Sequence, residues 1–309
     1  MKNKLVIVLM LTMLGFVFSS AASAAEEKKP FSRFIRPLSN PVYSIDPRNE
    51  TTIRVIHARQ KLPEHIKTTI GDDVKLDGDL NVTALQLTYA INERLSIVAE
   101  KTGYIDFNPD NTLSSEDGWA DYGAGLKYAF IYNPEDEFIV SGRLMLELTQ
   151  GSNEVFQGNG EGNIAAQVNF LKGFCKFQVN GGIGAIIPFD REEESTIAFS
   201  NLHVSYALTP KIFPLIELNH FAVVREGRSG TVASQDELVA SIVEFEGGDL
   251  INLGADHGNK NKHIVTLAAG IRFRCMENLD IGVAYEIPLT DKNANLMRDR
   301  ITFDLVFYF

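Results

Sequence analysis

The chain has 309 residues, with 40 Asp and Glu against 29 Lys and Arg and a formal net charge of −11. Such an acidic balance argues against a nucleic-acid partner, which would call for a basic face. The two cysteines and six histidines show no metal-ligand spacing, and nothing implies a cofactor.

Lys2 and Lys4 open the chain, residues 5–18 are almost wholly apolar, and Ala22-Ser23-Ala24 has small-x-small form. This pattern predicts a secretory signal peptide over 1–24, cleaved after Ala24. The apolar run is short for a helical span and has no basic flank after it. Cleavage removes two lysines and takes the formal charge from −11 to −13. Residues 25–50 carry Glu26, Glu27, Lys28, Lys29, Pro37, Pro41 and Pro47 and read as an irregular lead-in. It belongs either in the periplasm or tucked into the lumen enclosed by residues 51–309.

From residue 51 the chain reads as strand pairs. Candidate strands are 51–62, 79–90, 95–106, 118–130, 138–149, 161–171, 174–188, 195–208, 212–223, 263–274, 279–289 and 299–309. A tilted transmembrane strand needs about 9–11 residues, and these are close to it. Five connections are tight: Asn92-Glu93, Asn133-Pro134-Glu135-Asp136, Lys172-Gly173, Thr209-Pro210-Lys211 and Met276-Glu277-Asn278. Six are longer and polar: 63–78, 107–117, 150–160, 189–194, 224–262 and 290–298. Short turns on one side and long loops on the other predict an all-β fold, a transmembrane antiparallel up-and-down barrel over 51–309. Both termini then lie on the short-turn, periplasmic side, which requires an even strand number of about twelve.

The faces alternate with period two. Phe138, Val140, Leu144, Leu146 and Leu148 oppose Ser141, Arg143, Glu147 and Thr149, and Ile281, Val283, Tyr285 and Ile287 oppose Gly282, Ala284 and Glu286. Aromatics gather beside the short turns: Tyr89, Tyr128, Phe130, Phe138, Phe170, Phe174, Tyr206, Phe213, Phe273, Phe307 and Phe309. A soluble sandwich would concentrate them mid-strand, whereas a membrane barrel carries them as interfacial girdles.

The polar faces carry both signs. Arg54, Lys127, Arg143, Lys176, Arg272 and Arg300 are positive, and Glu100, Asp121, Glu147, Glu217, Glu286 and Asp304 are negative. On a lipid face each cation would cost about 2–4 kcal/mol at the midplane, so the lumen is their expected place. These are the selectivity candidates if the lumen conducts, or a bracing salt-bridge network if it does not.

Loop 224–262 contains Ser234-Gln235-Asp236-Glu237, a capping-box pattern, before Leu238, Val239, Ile242, Val243 and Phe245 at helical spacing. A short amphipathic helix there would constrict the pore or lie outside as a lid. Asp106, Asn108, Asp110 and Asp117 fall at positions 1, 3, 5 and 12 of a calcium-loop pattern. It lacks the glycine at position 6, so it makes a weak ion site beside the plainer reading of an acidic loop. Cys175 and Cys275 lie near turns on strands that should not be neighbours, and two inert thiols fit better than a disulfide. His57, His203 and His220 are the strand histidines. No Gly-x-Ser-x-Gly motif accompanies them, and lumen polar residues are the expected role.

The last nine residues place Ile301, Phe303, Leu305, Phe307 and Phe309 on one face and Arg300, Thr302, Asp304, Val306 and Tyr308 on the other. A strand ending on Phe resembles the terminal strand of Gram-negative outer-membrane β-barrels. In that family this strand, here Phe307 and Phe309, is the signal read by the insertion machinery. The resemblance implies outer-membrane lipid and lipopolysaccharide, the barrel-assembly machinery and periplasmic chaperones as partners. It further implies pairing of this strand with the first, near Thr51–Leu62. The mid-sized barrel and tight turns also look somewhat like transporter barrels of aromatic-degradation operons, without a shared motif. The function expected is an outer-membrane channel or uptake barrel for small molecules, with a mixed-charge polar lumen and no catalytic residues. The alternatives are a non-conducting structural or adhesive barrel with a plugged lumen, and a membrane-embedded lipid-modifying enzyme.

Overall fold

The alternating segments close into a wall of twelve antiparallel strands. A computed structural model describes residues 31–67, 73–158, 160–191, 194–225, 263–290 and 296–309. The signal peptide and the helix expected near 234–245 lie outside them.

In chain order the strands are β1 (Thr52–Lys61), β2 (His65–Lys67), β3 (Asp73–Lys75), β4 (Gly78–Ala90), β5 (Leu95–Lys101), β6 (Tyr104–Pro109), β7 (Glu116–Trp119) and β8 (Tyr122–Asn133). They continue as β9 (Phe138–Leu148), β10 (Asn163–Phe174), β11 (Phe177–Pro188), β12 (Thr196–Tyr206), β13 (Ile212–Arg225), β14 (His263–Met276), β15 (Leu279–Pro288) and β16 (Asp299–Tyr308). β5 and β6 form one interrupted wall strand, since both pair with β4. β7 and β8 form another, pairing with β6 and β5 respectively. β2 and β3 make a separate small hairpin.

Closure runs through β1. It pairs with β16 from Thr52↔Tyr308 to Lys61↔Asp299, and with β4 from Thr52↔Thr88 to Lys61↔Asp79. A closed wall leaves no strand edge unpaired, which a lipid-facing sheet requires. Even the last residue is tied in, as the Phe309 amide donates to the Thr51 carbonyl at 3.1 Å.

The terminal strand pairs where its sequence places it. Ile301 and Phe303 are 48% and 41% exposed, whereas Arg300, Thr302 and Asp304 are buried inside. The outer wall carries exposed Tyr89, Tyr128, Phe130, Phe170, Phe174 and Phe273 near the short turns. Phe213 departs from that girdle. It faces inward and packs with Ile35 and Leu38, because an apolar stretch of the lead-in lies against it.

Two local expectations are corrected. Lys172 and Gly173 stay within β10, paired with Val179 and Gln178. The turn falls at Cys175-Lys176, with Cys175 in the left-handed region at φ 52°. Lys176 is therefore exposed at a turn and not in the lumen. Both cysteines are free and exposed.

Candidate functional site: a lumen filled by the lead-in

Arg33–Phe309 form one compact unit, and residues 34–48 lie in its lumen, almost all of them buried. Pro37, Pro41 and Pro47 lack an amide N–H, which keeps this segment from adding a strand and leaves its carbonyls in need of donors. The barrel wall supplies them. Arg54 on β1 donates to the Pro37 and Leu38 carbonyls at 3.0 and 3.3 Å, and Gln86 on β4 to Pro41 at 2.9 Å. Arg143 on β9 donates to Val42 at 2.6 Å, and Gln167 on β10 and Asn201 on β12 both donate to Tyr43, at 3.1 and 2.9 Å. Asn180 on β11 reaches Ile45 at 3.1 Å, and Lys127 on β8 reaches Asp46 and Arg48 at 2.7 and 2.5 Å. Gln178 clamps Ile35 through both its N–H and its carbonyl. In the other direction, the Leu38 and Ser39 amides and the Ser39 hydroxyl donate to Glu217, which His203 also contacts at 2.7 Å.

Eleven of the twelve charged lumen candidates are buried, Lys176 being the exception. The structure joins Arg54 and Arg272 on one carboxylate, Asp304, at 2.7 and 2.9 Å. Arg143 meets Glu100 at 2.5 Å and Arg300 meets Glu286 at 3.1 Å. Glu147 pairs with Lys101. Asp121 lies in the break between β7 and β8, where it accepts the Gly151 and Gly158 amides at 2.8 and 3.0 Å. Among the described residues Lys127 pairs with no carboxylate; its partners are the two lead-in carbonyls. Gly282 leaves room for Leu38, since a Cβ there would collide with its Cδ1 and lie 2.7 Å from Asp304 Oδ1.

Above this polar layer the lumen is apolar. Ile56, Val82, Ala84, Phe107, Met145, Ile186, Phe199 and Phe221 are buried there in one cluster that also holds Val42 and Tyr43. The Tyr43 ring marks the boundary, 4.8 Å from the Phe199 ring and 6.0 Å from Phe221, with the Arg143 guanidinium 5.7 Å away.

Lys101 and Asp280 are further lumen charges; alternation conceals Lys101 alone, since Asp280 shares the inward parity of Gly282, Ala284 and Glu286. A register shift between Ala99 and Lys101 breaks the alternation, and Glu100 and Lys101 are both buried in consequence. Asp280 is buried under Arg274, at 3.0 Å, and the Tyr308 hydroxyl, at 3.2 Å.

Of the strand histidines only His203 faces the lumen. His57 is exposed and contacts Thr83 Oγ1 at 3.1 Å, and the half-buried His220 stacks on His263 with 3.0 Å between nitrogens. Both belong to outward-facing positions of their strands. Asp106 and Asn108 lie on β6 rather than in a loop, Asp106 opposite Asp117 on β7. Among the described residues no three acidic, histidine or cysteine side chains gather as a metal site.

Where the lead-in enters the lumen, Arg33 clamps Glu137 with both ends of its guanidinium, Nε lying 2.6 Å from Oε1. The hydrogen bond from Arg33 holds the Glu137 carboxyl below its ordinary range. The folded pKa lies beneath the unfolded one of about 4.3, so the stabilisation is complete above that pH and is lost as pH falls through the depressed value. Both side chains are about one-third exposed, which limits the clamp to about 1 kcal/mol or less. Glu137→Gln should lower the melting temperature slightly at pH 7 and by less at pH 3. An equal deficit at both would show that the clamp's charge is irrelevant.

Comparison with solved structures follows the wall and not the sequence. An outer membrane channel from Pseudomonas putida F1 superposes with a TM-score of 0.59 over 92% of this chain and 100% of that one, at 14% identity. The NanC porin superposes with a TM-score of 0.50 over 84% and 99%, at 8% identity. The fold is that of outer-membrane channels and porins. Neither a protein-family profile nor a curated protein matches the sequence.

Proposed function

We propose that the chain is an outer-membrane channel for the uptake of small molecules, closed at rest by its own lead-in. The observation that carries this reading is how residues 34–48 are held. The wall grips them mainly through side-chain bonds to their main-chain carbonyls, which makes the segment a removable plug rather than a strand of the wall. Apolar side chains pack in the lumen above the plug, which suits cargo with an apolar body better than a hydrated ion. The polar layer beneath supplies mixed charge, with Arg54, Lys127, Arg143, Glu100 and Glu217 as the plug-side groups.

The reading includes location: a signal peptide cleaved after Ala24, insertion directed by Phe307 and Phe309, termini in the periplasm, and lipopolysaccharide around the outer rim. Fractionation of the expressed chain tests it, and recovery as a soluble periplasmic monomer would overturn it. The transport claim is tested with the refolded full-length mature protein in planar bilayers. Stepwise conductance with brief openings is expected. Silence at every voltage, in the wild type and in a Tyr43→Ala variant with a weakened plug, would favour the non-conducting barrel.

A further inference from the structure

We infer that the seat of Tyr43 is the channel's ligand site, and that it takes a small monocarboxylate with a flat apolar body. The inference rests on the channel reading above and names its substrate class. Three observations converge on the seat. The Tyr43 ring lies against Phe199 and Phe221 at the floor of the apolar layer. Oxygen atoms of the same stretch, the Val42 and Tyr43 carbonyls, are held by Arg143, Gln167 and Asn201. The plug thus places a ring above and acceptor oxygens below, as an arylalkyl carboxylate would.

The charge of the wall selects the anion. Arg54, Lys127, Arg143 and Arg272 ion-pair with only two wall carboxylates among the described residues, Glu100 and Asp304. Arg143 Nε and Nη2, on a side chain fully buried, have no hydrogen-bond partner among the described residues. Among the described residues Lys127 spends its ammonium on carbonyls alone. A carboxylate is a stronger acceptor than a main-chain carbonyl, roughly twice as strong towards a charged donor. Such a ligand therefore competes with the plug for the same donors, and its binding and the plug's departure are one equilibrium.

The test uses the full-length mature chain in liposomes, with Cys175→Ser and Cys275→Ser removing the exposed thiols and Ser44→Cys placing a reporter beside Tyr43. Ser44 is buried, so a water-soluble maleimide should label the reporter slowly. Phenylacetate should speed labelling by about tenfold, and 2-phenylethanol, which keeps the ring and loses the charge, should not. Arg143→Gln should remove the response to phenylacetate. Lys127→Gln serves the same purpose should the first variant not fold, and β-sheet circular dichroism reports folding for both. Equal responses to acid and alcohol, or no response to either, would overturn the inference. A chain that responds to phenylacetate yet never conducts keeps the seat and loses the channel. One that conducts with equal responses keeps the channel and loses the seat.

Discussion

Asp304→Ala is expected to destabilise the barrel by about 3–5 kcal/mol, the cost of breaking a buried charge pair by removing one partner. Asp304 is fully buried on β16 and accepts from Arg54 Nε and Arg272 Nη2 through the same oxygen. Without it two guanidiniums face each other in the lumen, neither able to shed its proton. The position also lies beside the closing seam, because Asp304 is in register with Ile56 on β1 and Gly282 on β15. Asp304→Asn should fall between, since the amide keeps an acceptor and loses the charge. Adding Arg272→Met to Asp304→Ala should restore part of the loss by removing one orphaned cation. Urea unfolding in detergent reads all four proteins. A loss below about 1 kcal/mol for Asp304→Ala would mean that solvent reaches the pair and screens it.

The wall was legible because lipid imposes a strict rule on it. In β9 and β15 every second residue is apolar and outward, so period two exposes both the strands and their faces. The same rule brought eleven of the twelve charged candidates inside, Lys176 excepted. It fails where the backbone slips. The shift between Ala99 and Lys101 hides the Lys101–Glu147 pair, and Cys175 at positive φ moves a hairpin by three residues from Lys172-Gly173. The outer lumen was hidden for another reason. Phe199 and Phe221 face inward from strands that are apolar outside as well, so alternation vanishes there and composition does not say which face is which. The plug was least legible of all. Ile35, Leu38, Val42, Tyr43 and Ile45 follow no period, because each answers to a different part of a curved wall and not to a repeating neighbour. A proline-spaced apolar run just before the first strand was the available signal. It left the periplasm and the lumen equally open, and the carbonyl-directed donors of the wall distinguish them only in three dimensions.

Tyr43→Ala should separate the plug from the wall that holds it. Tyr43 is buried among Phe199 and Phe221, and removing a buried ring of this size costs about 3–5 kcal/mol. The residue is no part of the sheet, so the loss should fall on plug docking while the strand ladder keeps its hydrogen bonds. At about 1.4 kcal/mol per tenfold, the docked-to-undocked ratio should shift by about two to three and a half orders of magnitude. In planar bilayers the variant should therefore dwell open where the wild type opens briefly, with urea unfolding of the barrel little changed. Tyr43→Phe keeps the ring against its neighbours and should stay close to the wild type, which assigns the effect to packing and not to the hydroxyl. Should Tyr43→Ala unfold together with the wall, the plug would be core rather than gate. The carbonyl grip of Arg54, Lys127 and Arg143 would then serve to brace the barrel.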